Sequence, residues 1–161
     1  MPGTSQLELE FADGTYIFSL KLPQILELQR VCDAGIFEIF GRVMRGRVML
    51  GAESFGLPQE AAARVQDVME TCRLALIGGG RGMVNGEDAG VSDQRARQLV
   101  ETYLHPPVPL SKAWNLAATI LLALVEGYDP PEGQKKSPEK QEGGEGQDGS
   151  MTPPSSPTAP A

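Results

Sequence analysis

The sequence predicts an α+β protein: an N-terminal β-hairpin packed on a bundle of four to five helices, followed by a disordered C-terminal tail. Three observations predict it. Apolar residues alternate around the turn Ala12-Asp13-Gly14, the pattern changes to helical spacing from Pro23, and Leu, Ile, Val and aromatic residues vanish after Tyr128. With 161 residues, 40% of them hydrophobic and 22% charged, the chain has the composition of one ordinary globular domain and not of a collagen or a disulfide scaffold.

The hairpin rests on Leu7, Leu9 and Phe11 alternating with Glu8 and Glu10, then on Tyr16, Phe18, Leu20 and Leu22 beyond the turn. A lone two-stranded ribbon is marginal in water, so helices must cover its apolar face. Pro23 suits a first helical turn, and Ile25, Leu26, Gln29 and Cys32 share one side of a first helix that Gly35 ends. A second helix, from Ile36 to about Arg45, carries Ile36, Phe37, Ile39, Phe40, Val43 and Met44, too many apolar residues for a solvent-facing element. A third is expected from near Pro58 to Leu76, stacking Ala62, Val65, Met69 and Cys72, with Gly78-Gly79-Gly80 as its stop and a flexible connection. Ser92 is the expected N-cap of a fourth, which places Ala96, Leu99, Val100 and Tyr103 on one stripe and halts before Pro106-Pro107. The fifth, Leu110 to Glu126, is the most apolar. Trp114, Ala117, Ile120, Leu121, Leu124 and Val125 make it the expected central packing helix, closed by Gly127.

Residues 1–128 are thus the expected folded domain and residues 129–161 the tail. The tail has too little to bury to offset a backbone entropy cost of about 1–2 kcal/mol per residue.

Charge and motif spacing exclude several functions. A formal net charge of −7 and a pI near 4.7 oppose a phosphate-binding face, so no nucleic-acid partner is expected. Met1 to Gln6 lacks the basic and apolar regions of a leader, and Ala113 to Val125, interrupted by Asn115 and Thr119, falls short of the roughly 20 residues of a membrane span. Cys32, Cys72 and the single His105 lack ligand spacing, which predicts buried thiols, no metal and no cofactor. Gly78 to Gly82 lacks the lysine and the preceding strand of a phosphate loop. Ala52-Glu53-Ser54-Phe55-Gly56 departs from a nucleophile elbow at its first residue, and His105 alone would have to serve every base role for Ser54. Glu87, Asp88 and Asp93 miss the calcium-loop pattern and read as loop and first-turn charges. No enzyme is expected. What remains is a partner-binding surface, with Phe37, Phe40 and Met44 as its apolar part and Arg42, Arg45 and Arg47 as a basic cluster suited to an acidic segment.

The chain resembles the small tail proteins of tailed phages and gene transfer agents, a family labelled both tail assembly chaperone and tail tube protein. The resemblance is carried by Phe11-Ala12-Asp13-Gly14-Thr15-Tyr16, Leu26-Glu27-Leu28-Gln29, Cys32-Asp33-Ala34-Gly35, Leu74-Ala75-Leu76-Ile77-Gly78-Gly79-Gly80 and the closing apolar helix with Gly127, in that order over residues 6–128. It implies a chaperone that binds the tape-measure protein in the cytoplasm of the bacterial host, passes it to tail tube subunits and is absent from the mature particle. The alternative is a structural tube or completion component retained in the particle. Departures from the family pattern fall at Arg42 to Phe55, at the loop Asn85 to Gly90 and in the tail.

Overall fold

A computed structural model describes residues 3–50 and 53–130. The expectation of disorder concerns a tail that, beyond residue 130, lies outside the described residues. Strands β1 (Leu7–Phe11) and β2 (Gly14–Phe18) form the expected antiparallel hairpin, with Phe11 opposite Gly14 across the turn. Leu7, Tyr16, Phe18 and Leu20 are buried, as the alternation requires. Leu22 breaks from that pattern. It is the first residue of helix α1 (Leu22–Cys32) and lies 65% exposed, because the strand ends at Phe18 and the helical register turns it outward.

Helix α2 (Ile36–Met44) follows as expected. A separate two-stranded hairpin comes next, β3 (Arg47–Leu50) and β4 (Glu53–Gly56). The third helix does not open at Pro58. Pro58–Glu60 is a single 3-10 turn, and α3 runs over Val65–Gly79. Its start is set by Asp67, whose Oδ2 accepts the Arg64 backbone N–H at 2.9 Å and so caps the helix.

The glycine run is not a flexible connection either. Gly78 and Gly79 lie within α3, where a side chain would collide with the backbone carbonyls of Ser19 and Ile17, so their absent Cβ atoms let the helix press directly on β2. Gly80 then closes α3 and leads straight into β5 (Arg81–Val84), which pairs with β2. Asn85 and Gly86, at φ 53° and 80°, form the tight turn to β6 (Glu87–Gly90), as an Asn-Gly pair is suited to do. Glu87 and Asp88 are strand residues, not loop residues, and the sheet has four strands in the order β1-β2-β5-β6.

Helix α4 (Asp93–Tyr103) has the expected cap, Ser92 Oγ accepting the Arg95 N–H at 3.1 Å, and α5 (Leu110–Glu126) ends at Gly127 as expected. The centre of the domain is α3 and not α5. Helix α3 touches β2, α1, α2, α4 and α5, whereas α5 rests on α3, α2 and β4. An apolar circumference marked α5 in the sequence, but a position between the sheet and the other helices gives α3 its burial. Its core neighbours include Leu28, Ile39, Leu99 and Leu121. The two ends of the folded unit meet where Thr4 and Tyr128 exchange backbone hydrogen bonds of 2.9 and 2.7 Å.

Replacing Gly79 with Ala inserts a methyl between α3 and the Ile17 carbonyl, and is expected to lower unfolding free energy by about 1–3 kcal/mol. Denaturant titration measures this loss. A Gly86→Ala variant, with open space around the new carbon, bears only the left-handed backbone penalty of about 1–2 kcal/mol.

Candidate partner-binding surface

The six residues singled out in the sequence part company in the structure. On α2, Ile39 and Val43 face the core, with Phe40 and Met44 half-buried beside them. Phe37 points the other way and is 71% exposed. Gly41 and Arg45 follow it at helical spacing on the same uncovered face, Arg45 without an ion pair among the described residues. On α1, Leu22 and Leu26 stand one turn apart, 65% and 56% exposed. Phe37 and, on the preceding helix, Leu22 and Leu26 are thus the large apolar residues that these two helices leave exposed, whereas Phe40 and Met44 pack against the core.

Arg42 belongs to the scaffold. Its Nε and Nη2 donate to Asp67 Oδ2 and Oδ1 at 2.9 and 2.7 Å, and its Nη1 donates to Glu38 at 3.2 Å. Asp67 is fully buried. Burial works to raise its carboxyl pKa, but the fork from Arg42 and the Arg64 N–H outweigh burial and hold it below the usual carboxylate range. The same pairing raises the Arg42 guanidinium.

Arg47 opens β3 and bridges to α5. Its guanidinium lies 4.7 Å from the Trp114 ring centroid, and Nη2 donates to Ser54 Oγ at 2.8 Å and Asn115 Oδ1 at 2.9 Å. Nε is buried without an acceptor, and burial lowers the Arg47 pKa. Trp114 Nε1 donates to the Val43 carbonyl at 2.7 Å, and Gly56 leaves room for the indole. The β3–β4 hairpin is thereby clamped over α5.

Beside this clamp a groove of about 300 Å³ lies between the hairpin and the N-terminal turns of α3 and α5, with Val65, Val68, Met69, Leu110 and Trp114 in its lining. Val65 and Leu110 are 57% and 46% exposed at its rim. Helical spacing groups Val65 and Trp114 with core-facing residues, so the groove is not legible in the sequence. Its one sequence signal was a single tryptophan in a helix with an arginine far upstream, which periodicity cannot connect.

The other candidates are dispersed. Ser54 Oγ donates to Asn115 Oδ1 at 2.8 Å, whereas His105 follows α4 and lines a hollow with Val31, Glu70 and Arg73; no hydrogen bond among the described residues joins their side chains. Cys32 and Cys72 are free and buried, their thiols directed at the carbonyls of Gln66 and Ala113. Burial, with Asp67 nearby, pushes Cys32 up to about 12 and burial also raises Cys72. Asp93 pairs with Arg73 at 2.8 Å, and Asp88 with Arg81 at 3.4 Å.

Residues 4–54 match the family model described as "Phage tail tube protein, GTA-gp10". This segment, about a third of the chain, spans β1, β2, α1, α2, β3 and the start of β4. No curated protein and no solved structure matches the chain.

Replacing Asp67 with Asn removes the counter-charge of Arg42 and leaves one amide oxygen to serve both the Arg42 fork and the Arg64 N–H that caps α3. It is expected to cost about 2–4 kcal/mol, below the full buried-pair range because Arg42 keeps some contact with water and with Glu38. Because the folded carboxyl titrates below its unfolded value, its stabilisation is full above roughly pH 4 and is lost as pH falls through the folded pKa. Urea unfolding between neutral and acidic pH should show a shallower acid decline for the variant than for the parent.

Proposed function

We propose, from the match of residues 4–54 to a phage and gene transfer agent tail family, that this tail-related protein acts as an assembly chaperone for the tape-measure protein. The observation that carries the reading is Phe37. It sits in the matched segment, 71% exposed on a well-formed helix, where a large apolar side chain gains little for the monomer. With Leu22 and Leu26 it offers apolar contact to helices of an elongated partner, and Arg45 offers a cation to acids on that partner. The chaperone acts by binding and not by catalysis. Reversible association lowers the free concentration of an aggregation-prone chain by mass action, in the host cytoplasm and before the particle is complete. It then leaves as tube subunits polymerise.

A second reading, a tube or completion component kept in the particle, is favoured by the description of the matching family and by the four-stranded sheet, in which β1 and β6 are edge strands. Co-expression with the tape-measure protein, and mass spectrometry of purified particles, separate the two. A soluble complex with this chain missing from particles is the chaperone outcome. Stoichiometric presence in particles is the structural outcome, and would end the chaperone reading. Within the first, Phe37→Ser is expected to change stability by less than about 0.5 kcal/mol, since it uncovers nothing, yet to reduce the yield of soluble tape-measure protein.

A further inference from the structure

We propose that the groove between the β3–β4 hairpin and the N-terminal turns of α3 and α5 docks a partner segment that presents an apolar side chain next to a carboxylate. The inference rests on the reading that this chain binds another tail protein. It adds a second contact surface, away from Phe37, and states the chemistry that this surface selects.

The apolar half of the argument is the lining. Val65, Met69, Leu110 and Trp114 surround a space of about 300 Å³ that is open to solvent at Val65 and Leu110, at the lower end of the size range of small binding pockets. An aliphatic or aromatic side chain inserted there removes apolar surface from water on both partners.

The acidic half is charge complementarity. The chain as a whole is acidic at −7, yet among the described residues no Asp or Glu lines the groove, while Arg47 and Arg64 do. Arg64 has Asp67 at 3.7 Å. Arg47 has no such partner among the described residues: there its contacts are the indole face, a hydroxyl and an amide oxygen, its Nη1 makes no hydrogen bond, and its Nε is buried without an acceptor. A half-buried guanidinium without a counter-ion is costly to hold, and a carboxylate delivered beside it forms a charge-assisted pair in a site partly shielded from water. The stack on Trp114 fixes the guanidinium in place, so little side-chain entropy is lost when the acid arrives.

Trp114 is the only tryptophan in the chain and lines the groove, so its fluorescence reports occupancy directly. The test titrates overlapping peptides, tiled along the tape-measure and tube proteins encoded with this chain, into the full-length protein. The expected result is saturable change in Trp114 emission with peptides in which Asp or Glu adjoins Leu, Ile, Met or Phe. Replacing that acid by its amide, or Arg47 by Met, should weaken binding roughly 30-fold. Val65→Glu keeps the fold checkable, because an acid suits the first turn of a helix, and it places a like charge at the groove mouth. It should abolish the response while circular dichroism stays unchanged. Binding indifferent to both Arg47→Met and Val65→Glu would overturn the groove assignment and leave the chaperone reading standing. A response confined to tube peptides would support the groove and end the tape-measure reading. No response from any peptide would overturn the proposal, even where co-expression yields a soluble tape-measure complex.

Discussion

The carboxylate of Asp67 is the point on which the architecture turns. One fully buried group caps α3 through the Arg64 N–H, takes both arms of the Arg42 fork from α2, and lies next to the Cys32 thiol at the end of α1. A buried acid without these donors would be strongly unfavourable. With them it fixes three helices relative to one another. At the other end of α3, the missing side chains of Gly78 and Gly79 bring the helix onto the β2 backbone, and Ser19 donates its N–H to the Ala75 carbonyl at 2.9 Å. Helix α3 is thus pinned electrostatically at its head and sterically at its foot.

That pinning decides which apolar residues are spent on the core and which are left over. With α2 held against α3 by Arg42, Ile39 and Val43 turn inward and Phe37 must turn outward, since a helix cannot bury opposite faces against one neighbour. With α3 starting only at Val65, the segment from Leu57 to Arg64 runs as a 3-10 turn and extended chain, and the space beside it becomes the groove at Trp114. Both candidate contact surfaces are consequences of where one helix begins and what it is tied to.

The two surfaces differ in chemistry. Phe37, Leu22 and Leu26 are exposed apolar side chains that line none of the described pockets. The groove is walled, and Arg47 within it is a cation in an acidic protein. The first surface has breadth without walls, and the second has the walls and fixed charge that set register. The family match spans α2 and reaches β3, which places Phe37 and Arg47 within one contiguous segment of 4–54 and leaves the α3 and α5 walls outside it.

Sequence alone determined the elements whose cues are local. Alternation marked β1 and β2, helical spacing marked α1, α2, α4 and α5, Ser92 marked a cap, and the loss of apolar residues marked where helical patterning stops. It failed at β5–β6, although Asn85-Gly86 is a turn pair, because four-residue strands such as Glu87–Gly90 carry no apolar alternation: β6 is held by β5, and β5 in turn by the distant β2. It failed at the start of α3, because Pro58 and Glu60 satisfy local helix-start rules while Asp67 satisfies them together with an ion pair to a residue 25 positions away. The candidate site divided in the same way. That α2 has an apolar surplus is a property of composition; that Phe37 is the residue left uncovered, that Arg42 is consumed by Asp67, and that Arg47 stacks on Trp114 are decided only by tertiary structure, because periodicity fixes which residues share a face and packing alone determines what lies against it.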